Sequence, residues 1–139
     1  MILERRTGNI FGTECKHIMF AVNTEGINDS GFAGRVSHHF WPELAYCGPQ
    51  LIGTVLSKKE DGGKTFHAIV CHSLKGGWKE APKIIEECLD THFFDVSDDE
   101  SIASVQIGGG LIGQFLGADM PAIIQAMERS KKKIILYTR

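Results

Sequence analysis

Two glycine-rich segments are the parts of the sequence best suited to hold an anionic ligand. The first glycine loop runs from Asn23 to Gly34 (NTEGINDSGFAG), and the second runs from Ile107 to Gly113 (IGGGLIG). Each follows an apolar segment predicted to be a strand, and open α/β sheets bind ligands at the carboxyl ends of their strands. Glycines let backbone N–H groups approach an anion closely, and a helix entered at Gly31 would direct the positive end of its dipole at a phosphate. Together the loops could cradle a pyrophosphate, whereas either loop alone could be a simple turn.

The second glycine loop also contains the dinucleotide fingerprint G-x-G-x-x-G at Gly108, Gly110 and Gly113. That fingerprint must open a strand–helix–strand unit and be followed by an acidic residue about 20 positions further on. After Gly113 there is room for one helix and one strand, which ends at Arg139 without that residue or the further strands of a Rossmann half. The sequence therefore does not favour a Rossmann dinucleotide site.

One lysine lies on a loop directly after a predicted strand. Lys75 comes just after the segment TFHAIVCHS, with Trp78 three residues later. A lysine in this position is more often a solvated charge or a phosphate partner than a catalytic group. It can attack a carbon only once its ammonium has lost a proton, which burial or a neighbouring cation promotes. Asp119 is the acid nearest to the second glycine loop, and Met120 and Pro121 behind it also fit a helix N-cap.

The cysteines and histidines predict no metal site. The four cysteines are widely spaced and form no C-x-x-C pair, so we expect reduced thiols rather than a zinc site or a disulfide framework. The neighbouring histidines 38 and 39 cannot face one ligand, and the odd separation of His67 and His72 points them to opposite faces of a strand. We expect neither a metal nor another cofactor.

Composition and charge exclude several classes of protein. The 139 residues suit one domain, residues 1–139, and 42% hydrophobic with 23% charged residues allow a sizeable core. A net charge of -2 supplies no basic field for nucleic acid. Charged residues at positions 4–6 interrupt the apolar start, and no apolar run approaches about 18 residues, so we expect a cytoplasmic protein without membrane contact.

The elements that position these loops alternate between strands and helices. Strands are predicted over residues 2–5, 17–22, 50–56, 65–73, 101–107 and 134–138, helices over 31–40, 81–93 and after Asp119, and a loop over 108–117. The Asp-Gly-Gly turn at 61–63 suggests a hairpin or neighbouring strands. This alternation predicts a layered α/β fold with a largely parallel sheet.

The sequence resembles the macrodomains along nearly its whole length, in particular the branch of terminal ADP-ribose protein glycohydrolases and DNA ADP-ribosyl glycohydrolase antitoxins. Asn23, Thr24, Gly26, Gly31 and Ala33 fall on the loop pattern N-T-x-G-x-x-G-x-G-x-A. The segment 73–79 (SLKGGWK) is similar to a threonine-lysine pair followed by a tryptophan and a basic residue. The segments 107–113, 7–11 and 134–138 resemble the motif I-G-C-G-L-G-G, the start G-D-I/L-F and the closing strand.

The resemblance implies a three-layer α/β/α fold with a mixed, largely parallel central sheet. It implies ADP-ribose or an ADP-ribosylated macromolecule as the partner, nucleic acid only as a modified substrate, and a monomer. The implied ligand-binding residues are Asn9, Ile10, Asn23, Gly26, Gly31, Phe32, Ala33, Ile107, Gly108, Gly109, Gly110, Leu111, Ile112 and Gly113. Adenine would lie near Asn9 and Ile10, and the distal ribose would lie near Asn23. Lys75 would act at the anomeric carbon as nucleophile or electrostatic aid, with Asp119 as the nearest acid.

Three departures from the family pattern leave alternatives open. Asn9 stands where the family commonly has aspartate, and Asp29 replaces a glycine, which puts a carboxylate where a diphosphate is expected. The acid that usually assists the lysine is missing from the second glycine loop. We therefore expect a hydrolase of ADP-ribosyl adducts, with a non-catalytic ADP-ribose or nucleotide-metabolite module and an ADP-ribose 1″-phosphate phosphatase as the alternatives.

Overall fold

The computed structural model describes residues 1–93 and 95–138, together with the side chains of all of these except positions 111 and 112. Its strands are β1 (Ile2–Thr7), β2 (His17–Asn23), β3 (Val55–Lys59), β4 (Thr65–His72), β5 (Ser101–Val105) and β6 (Lys133–Thr138). They form one six-stranded sheet in the order β1-β6-β5-β2-β4-β3. Neighbouring strands are parallel except for β3, which runs antiparallel to β4.

The central strands are apolar on both faces because helices cover both faces. In β2, Met19 belongs to one hydrophobic core and Phe20 to the other, on opposite sides of the sheet. In β4, Ile69 and Val70 alternate between the same two cores. The sheet therefore has no solvent-facing side at the strands that carry the candidate site.

Within the described residues, four α-helices pack around this sheet. They are α1 (Gly31–His39), α2 (Ala81–Thr91), the short α3 (Leu111–Phe115) and α4 (Met120–Arg129). Val36 of α1 lies in one core, whereas Ile85 of α2 and Ile123 of α4 lie in the other, which confirms the predicted three-layer α/β/α fold. None of the helices that the structure describes is long and apolar enough to cross a membrane.

Two predicted elements differ from the structure by more than two residues at an end. The strand predicted over residues 50–56 begins only at Val55, because Gly53 adopts a φ of 89° and donates its N–H to the Val70 carbonyl at 2.7 Å, which turns the chain. The loop predicted over residues 108–117 contains α3, whose first turn closes through a bond of 3.0 Å from Gln114 N–H to Gly110 C=O. The predicted hairpin between β3 and β4 is confirmed.

Candidate functional site

Three loops leave the same edge of the sheet. Strands β5, β2 and β4 are adjacent and parallel, so their carboxyl ends lie side by side. They lead into the second glycine loop, the first glycine loop and residues 73–77, which we call the lysine loop. The sheet order thus brings together the segments that sequence reasoning chose as site candidates, with the first glycine loop in the middle.

The side chain of Asn23 fastens the first glycine loop to itself. Asn23 is buried at the end of β2, where its Nδ2 donates to the Ile27 carbonyl at 2.7 Å and its Oδ1 accepts from Ile27 N–H at 3.1 Å. The neighbouring Asn28 donates to the Leu44 carbonyl at 3.1 Å. The Asn23 amide keeps a second N–H and a second lone pair. These bonds therefore leave Asn23 able to contact the distal ribose, and that contact stays a prediction.

Packing explains why position 26 is glycine. Gly26 has a φ of 74°, and a Cβ built there would lie 1.9 Å from the carbonyl oxygen of Gly48. The Gly26 carbonyl also accepts from Cys47 N–H at 3.0 Å. The first glycine loop is thus pressed against residues 46–48, and no side chain fits between the two segments.

The start of α1 offers N–H groups to an anion. Its N-cap residue Ser30 makes no side-chain capping bond, and Gly31 enters the helix with a φ of 62°. Uncapped N–H groups at a helix N-terminus attract anions such as phosphate. Asp29, just before the cap, is exposed and accepts a hydrogen bond of 2.5 Å from the Tyr46 hydroxyl. This bond to Asp29 raises the pKa of Tyr46.

The residues predicted to lie near adenine form a wall with the first turn of α1. Phe11 stacks on Phe32, with ring centroids 5.2 Å apart and planes 8° apart. Asn9 is exposed, and its Oδ1 caps a short 3-10 helix by accepting from Phe11 N–H at 3.1 Å. Ile10 and Ala33 face the core on this side of the sheet. Sequence reasoning missed Phe11, although an aromatic residue beside Ile10 was the available signal.

Close packing leaves little room for a side chain at three of the four glycines of the second glycine loop. A Cβ at Gly108 would lie 2.9 Å from the Cβ of Ala118, and a Cβ at Gly109 would lie 3.0 Å from the carbonyl oxygen of Gln106. A Cβ at Gly113 would lie 2.7 Å from the carbonyl oxygen of Gly108. A Cβ at Gly110, by contrast, would meet none of the described atoms within 4 Å. Gly110 thus has room for a ligand beside it.

Of the remaining predicted residues of this loop, the structure describes the side chain of one. Ile107 is buried in the core that α2 and α4 share. The side chains of Leu111 and Ile112 lie outside the described residues, so their predicted ligand contacts stay predictions.

The lysine loop is a closed turn that presents Lys75 to solvent. Ser73 and Gly77 exchange backbone hydrogen bonds of 3.2 and 2.8 Å across its base. Trp78 directly after it is buried and stacks on His72, with ring centroids 3.9 Å apart. Lys75 itself is exposed. The fold therefore fixes the backbone of the loop from both ends and leaves the ammonium group accessible.

Sequence reasoning missed Glu25, an acid of the first glycine loop that contacts the lysine loop. Its carboxylate accepts hydrogen bonds from Leu74 N–H at 3.0 Å, from the Ser73 hydroxyl at 2.9 Å and from the Thr24 hydroxyl at 3.2 Å. Burial alone would raise the pKa of Glu25, but these hydrogen bonds outweigh it and hold the pKa below its ordinary value. Glu25 is therefore ionised at neutral pH.

Asp119 caps the last helix, as one of the two sequence interpretations held. Its Oδ1 accepts from Ala122 N–H at 3.1 Å at the start of α4. Asp119 also lines a cavity of about 430 Å³ beside the lysine loop. Its other lining residues are Gly76, Gly77, Trp78, Lys79, Pro82, Leu116, Gly117 and Ala122. A role for Asp119 in chemistry stays a prediction.

Histidines outside the site pair with each other rather than around an ion. His17 Nδ1 lies 3.0 Å from His67 Nε2, and the Ser57 hydroxyl lies 2.8 Å from His67 Nδ1. Burial, aided by His17, lowers the pKa of His67 to about 4. Within residues 1–93 and 95–138, no group of three or more histidine, cysteine or acidic side chains is arranged to hold a metal ion.

Solved structures of macrodomains share this architecture. No family model and no curated protein matches the sequence. The macrodomain of Thermus aquaticus DarG aligns with a TM-score of 0.62 and 18% identity over 100% of this chain and 99% of that one. The macrodomain of Mycobacterium tuberculosis DarG aligns with a TM-score of 0.69 and 14% identity over 100% of this chain and 98% of that one. Thermosipho africanus DarTG in complex with ADP-ribose aligns with a TM-score of 0.67 and 16% identity over 95% of this chain and 41% of that one. The chain therefore has the macrodomain fold.

Proposed function

We propose that this protein binds ADP-ribose and hydrolyses an ADP-ribosyl adduct of a protein or a nucleic acid. One observation carries the proposal: the uncapped start of α1, the two glycine loops and the lysine loop meet at the carboxyl ends of three adjacent parallel strands. An anion site and an amine therefore share one edge of the sheet. The likeness to DarG macrodomains, and to a DarTG solved with ADP-ribose, supports the choice of ligand.

In this proposal each part of the ligand has its own partner. The diphosphate lies against the N–H groups at the start of α1 and beside Gly110. Adenine lies near Asn9 and Ile10, and the distal ribose lies near Asn23, with its anomeric carbon toward Lys75. Neutral backbone donors can bind a diphosphate without a metal ion, as they do at other helix N-termini.

Lys75 fits an electrostatic role better than a nucleophilic one. Attack by an amine requires the loss of a proton, which burial promotes, and Lys75 is exposed. The cleavage of a glycosidic bond passes through a transition state in which the sugar is positive and the departing group gains negative charge. An ammonium beside the departing group stabilises that negative charge and can donate a proton to it, while water adds to the anomeric carbon.

A non-catalytic ADP-ribose-binding module is the second candidate. Two observations favour it: Asp119 is already bound to Ala122 N–H as a helix cap, and Lys75 projects into solvent. A module of this kind would use the same cleft and would release no product. The ligand would then serve only to recruit the protein to an ADP-ribosylated partner.

Calorimetric titration with ADP-ribose tests the premise that both candidates share. We expect a micromolar Kd for the wild type, weaker binding by about tenfold for Asn23→Ala, and a small change for Lys75→Ala. Lys79→Ala removes another exposed lysine, four residues away, and serves as the matched control. No binding at millimolar ADP-ribose would contradict the proposal and both candidates.

Product analysis then separates the activities. Free ADP-ribose released from an ADP-ribosylated protein or oligonucleotide by the wild type and by Lys79→Ala, but not by Lys75→Ala, supports the hydrolase. Binding without turnover supports the module. Phosphate released from ADP-ribose 1″-phosphate would instead identify the phosphatase.

A further inference from the structure

The Ser73 hydroxyl extends the influence of Glu25 through the lysine loop. Its hydrogen is donated to the Glu25 carboxylate at 2.9 Å, so its lone pairs remain to accept from Lys75 N–H at 3.1 Å and from Gly76 N–H at 3.0 Å. Leu74 N–H bonds directly to Glu25 at 3.0 Å. Three consecutive backbone N–H groups around Lys75 are thus held by one carboxylate, either directly or through one hydroxyl.

This network requires a carboxylate at position 25. The three donors that point at Glu25 come from Thr24, Ser73 and Leu74, and an ionised carboxylate has acceptor sites for all of them. A glutamine would offer one oxygen, and its NH₂ group would face a donor. The hydroxyl of Ser73 would then be free to turn away from the loop, and the N–H groups of Lys75 and Gly76 would lose their fixed acceptor.

The backbone is what directs Lys75. In the described part of the chain, the Lys75 ammonium makes no hydrogen bond and no ion pair, so its side chain is not held by any partner of its own. The position of its Cα relative to Asn23 therefore depends on how the lysine loop is attached to the first glycine loop. A backbone bond of 2.9 Å from Thr24 N–H to the His72 carbonyl ties the two loops at their base, and Glu25, two residues from Asn23, makes the side-chain attachment beyond it.

We propose that Glu25 is a positioning residue, which through Ser73 holds the lysine loop against the first glycine loop so that Lys75 reaches the ribose bound at Asn23. This inference rests on the proposed hydrolase function. The role of Glu25 is to place Lys75, and Glu25 itself need not touch the substrate.

The test measures turnover and binding separately in the full chain. We expect Glu25→Gln and Ser73→Ala to lower kcat for ADP-ribose release by about tenfold or more, with the Kd for ADP-ribose within roughly threefold of wild type. Ser73→Thr keeps the hydroxyl and should restore most of the turnover. Glu87→Gln, which neutralises an exposed acid on α2, is the matched control and should behave as wild type.

A second measurement needs no activity. In the ligand-free protein, Glu25→Gln should shift the amide NMR signals of residues 74–76 and speed their hydrogen exchange, whereas Glu87→Gln should leave them in place. Unchanged amide signals would refute the network itself. Shifted signals with wild-type turnover would refute the positioning role and leave the hydrolase standing. A wild type that binds ADP-ribose without releasing it from an adduct would refute the hydrolase and, with it, this use of Glu25.

Discussion

Gly26 is the position at which one added methyl group should damage the candidate site most. The Cβ of Gly26→Ala would lie 1.9 Å from the Gly48 carbonyl oxygen, whereas real Cβ atoms essentially never come within 3.0 Å of a neighbour. The two segments would have to separate by about 1 Å. That movement breaks the two backbone bonds of the bridge between Ile27 and Tyr46, which run from Cys47 N–H to the Gly26 carbonyl and from Asn28 N–H to the Ala45 carbonyl.

The size of the effect follows from these contacts. A left-handed φ costs a non-glycine residue about 1–2 kcal/mol, and the lower entropy of the unfolded alanine chain offsets about half of this. Each backbone hydrogen bond that is lost costs about 1 kcal/mol net. We therefore expect Gly26→Ala to lower the free energy of unfolding by about 3 kcal/mol and to weaken ADP-ribose binding by about tenfold, since the loop opens.

Urea denaturation followed by circular dichroism measures this change, with Gly31→Ala as the matched control. Gly31 also has a positive φ, 62°, but a Cβ there would meet nothing within 4 Å. Its replacement should cost only about 1 kcal/mol, from the backbone conformation alone. If Gly26→Ala proves no more destabilising than Gly31→Ala, the packing of the first glycine loop against Gly48 is not what holds the loop.

Two further predictions concern charge. Burial lowers the pKa values of His67 and His72 to about 4, and the neighbouring His17 adds to this effect at His67. In the unfolded chain an imidazole titrates near pH 6.5. Between about pH 4 and 6.5 the unfolded chain therefore binds more protons than the folded protein. The free energy of unfolding should fall by roughly 3 kcal/mol per histidine as the pH drops from about 6.5 to 4. The midpoints of urea denaturation at several pH values measure this fall. A flat profile would mean that the imidazoles titrate normally in the folded protein. Asp29→Asn should tighten ADP-ribose binding about twofold at low salt and lower the pKa of Tyr46, and an unchanged Kd would place that carboxylate away from the diphosphate.

Local patterns predicted the elements whose signals lie close together in the sequence. The apolar runs of β2 and β4 are long because both faces of these strands are covered, and the turn at 61–63 joins β3 to β4 at short range. Asp119 caps α4 through a partner three residues away, which makes the cap readable from the sequence. In such cases the interaction and the pattern occupy the same few residues.

The features that escaped prediction depend on distant partners or on glycines that serve two purposes. Glu25 bonds to residues nearly fifty positions away, so its neighbours in the sequence give no sign of its role. The glycines around α3 resemble a flexible loop, although Gly113 is needed for a close backbone approach to Gly108. Long-range packing decided both cases, and one sequence alone does not reveal it.

The bonds that Asn23 and Asn28 make within the first glycine loop bear on how fast and how tightly a ligand can bind. Because both amides are already bonded to the Ile27 and Leu44 backbone, the conformational entropy of this loop is lost when the protein folds. A ligand then meets a preorganised surface and does not have to order it. Loosening Asn28, which belongs to no predicted ligand contact, would transfer that ordering to the binding step. Under the proposed function, we therefore expect Asn28 to influence the affinity for ADP-ribose without touching it.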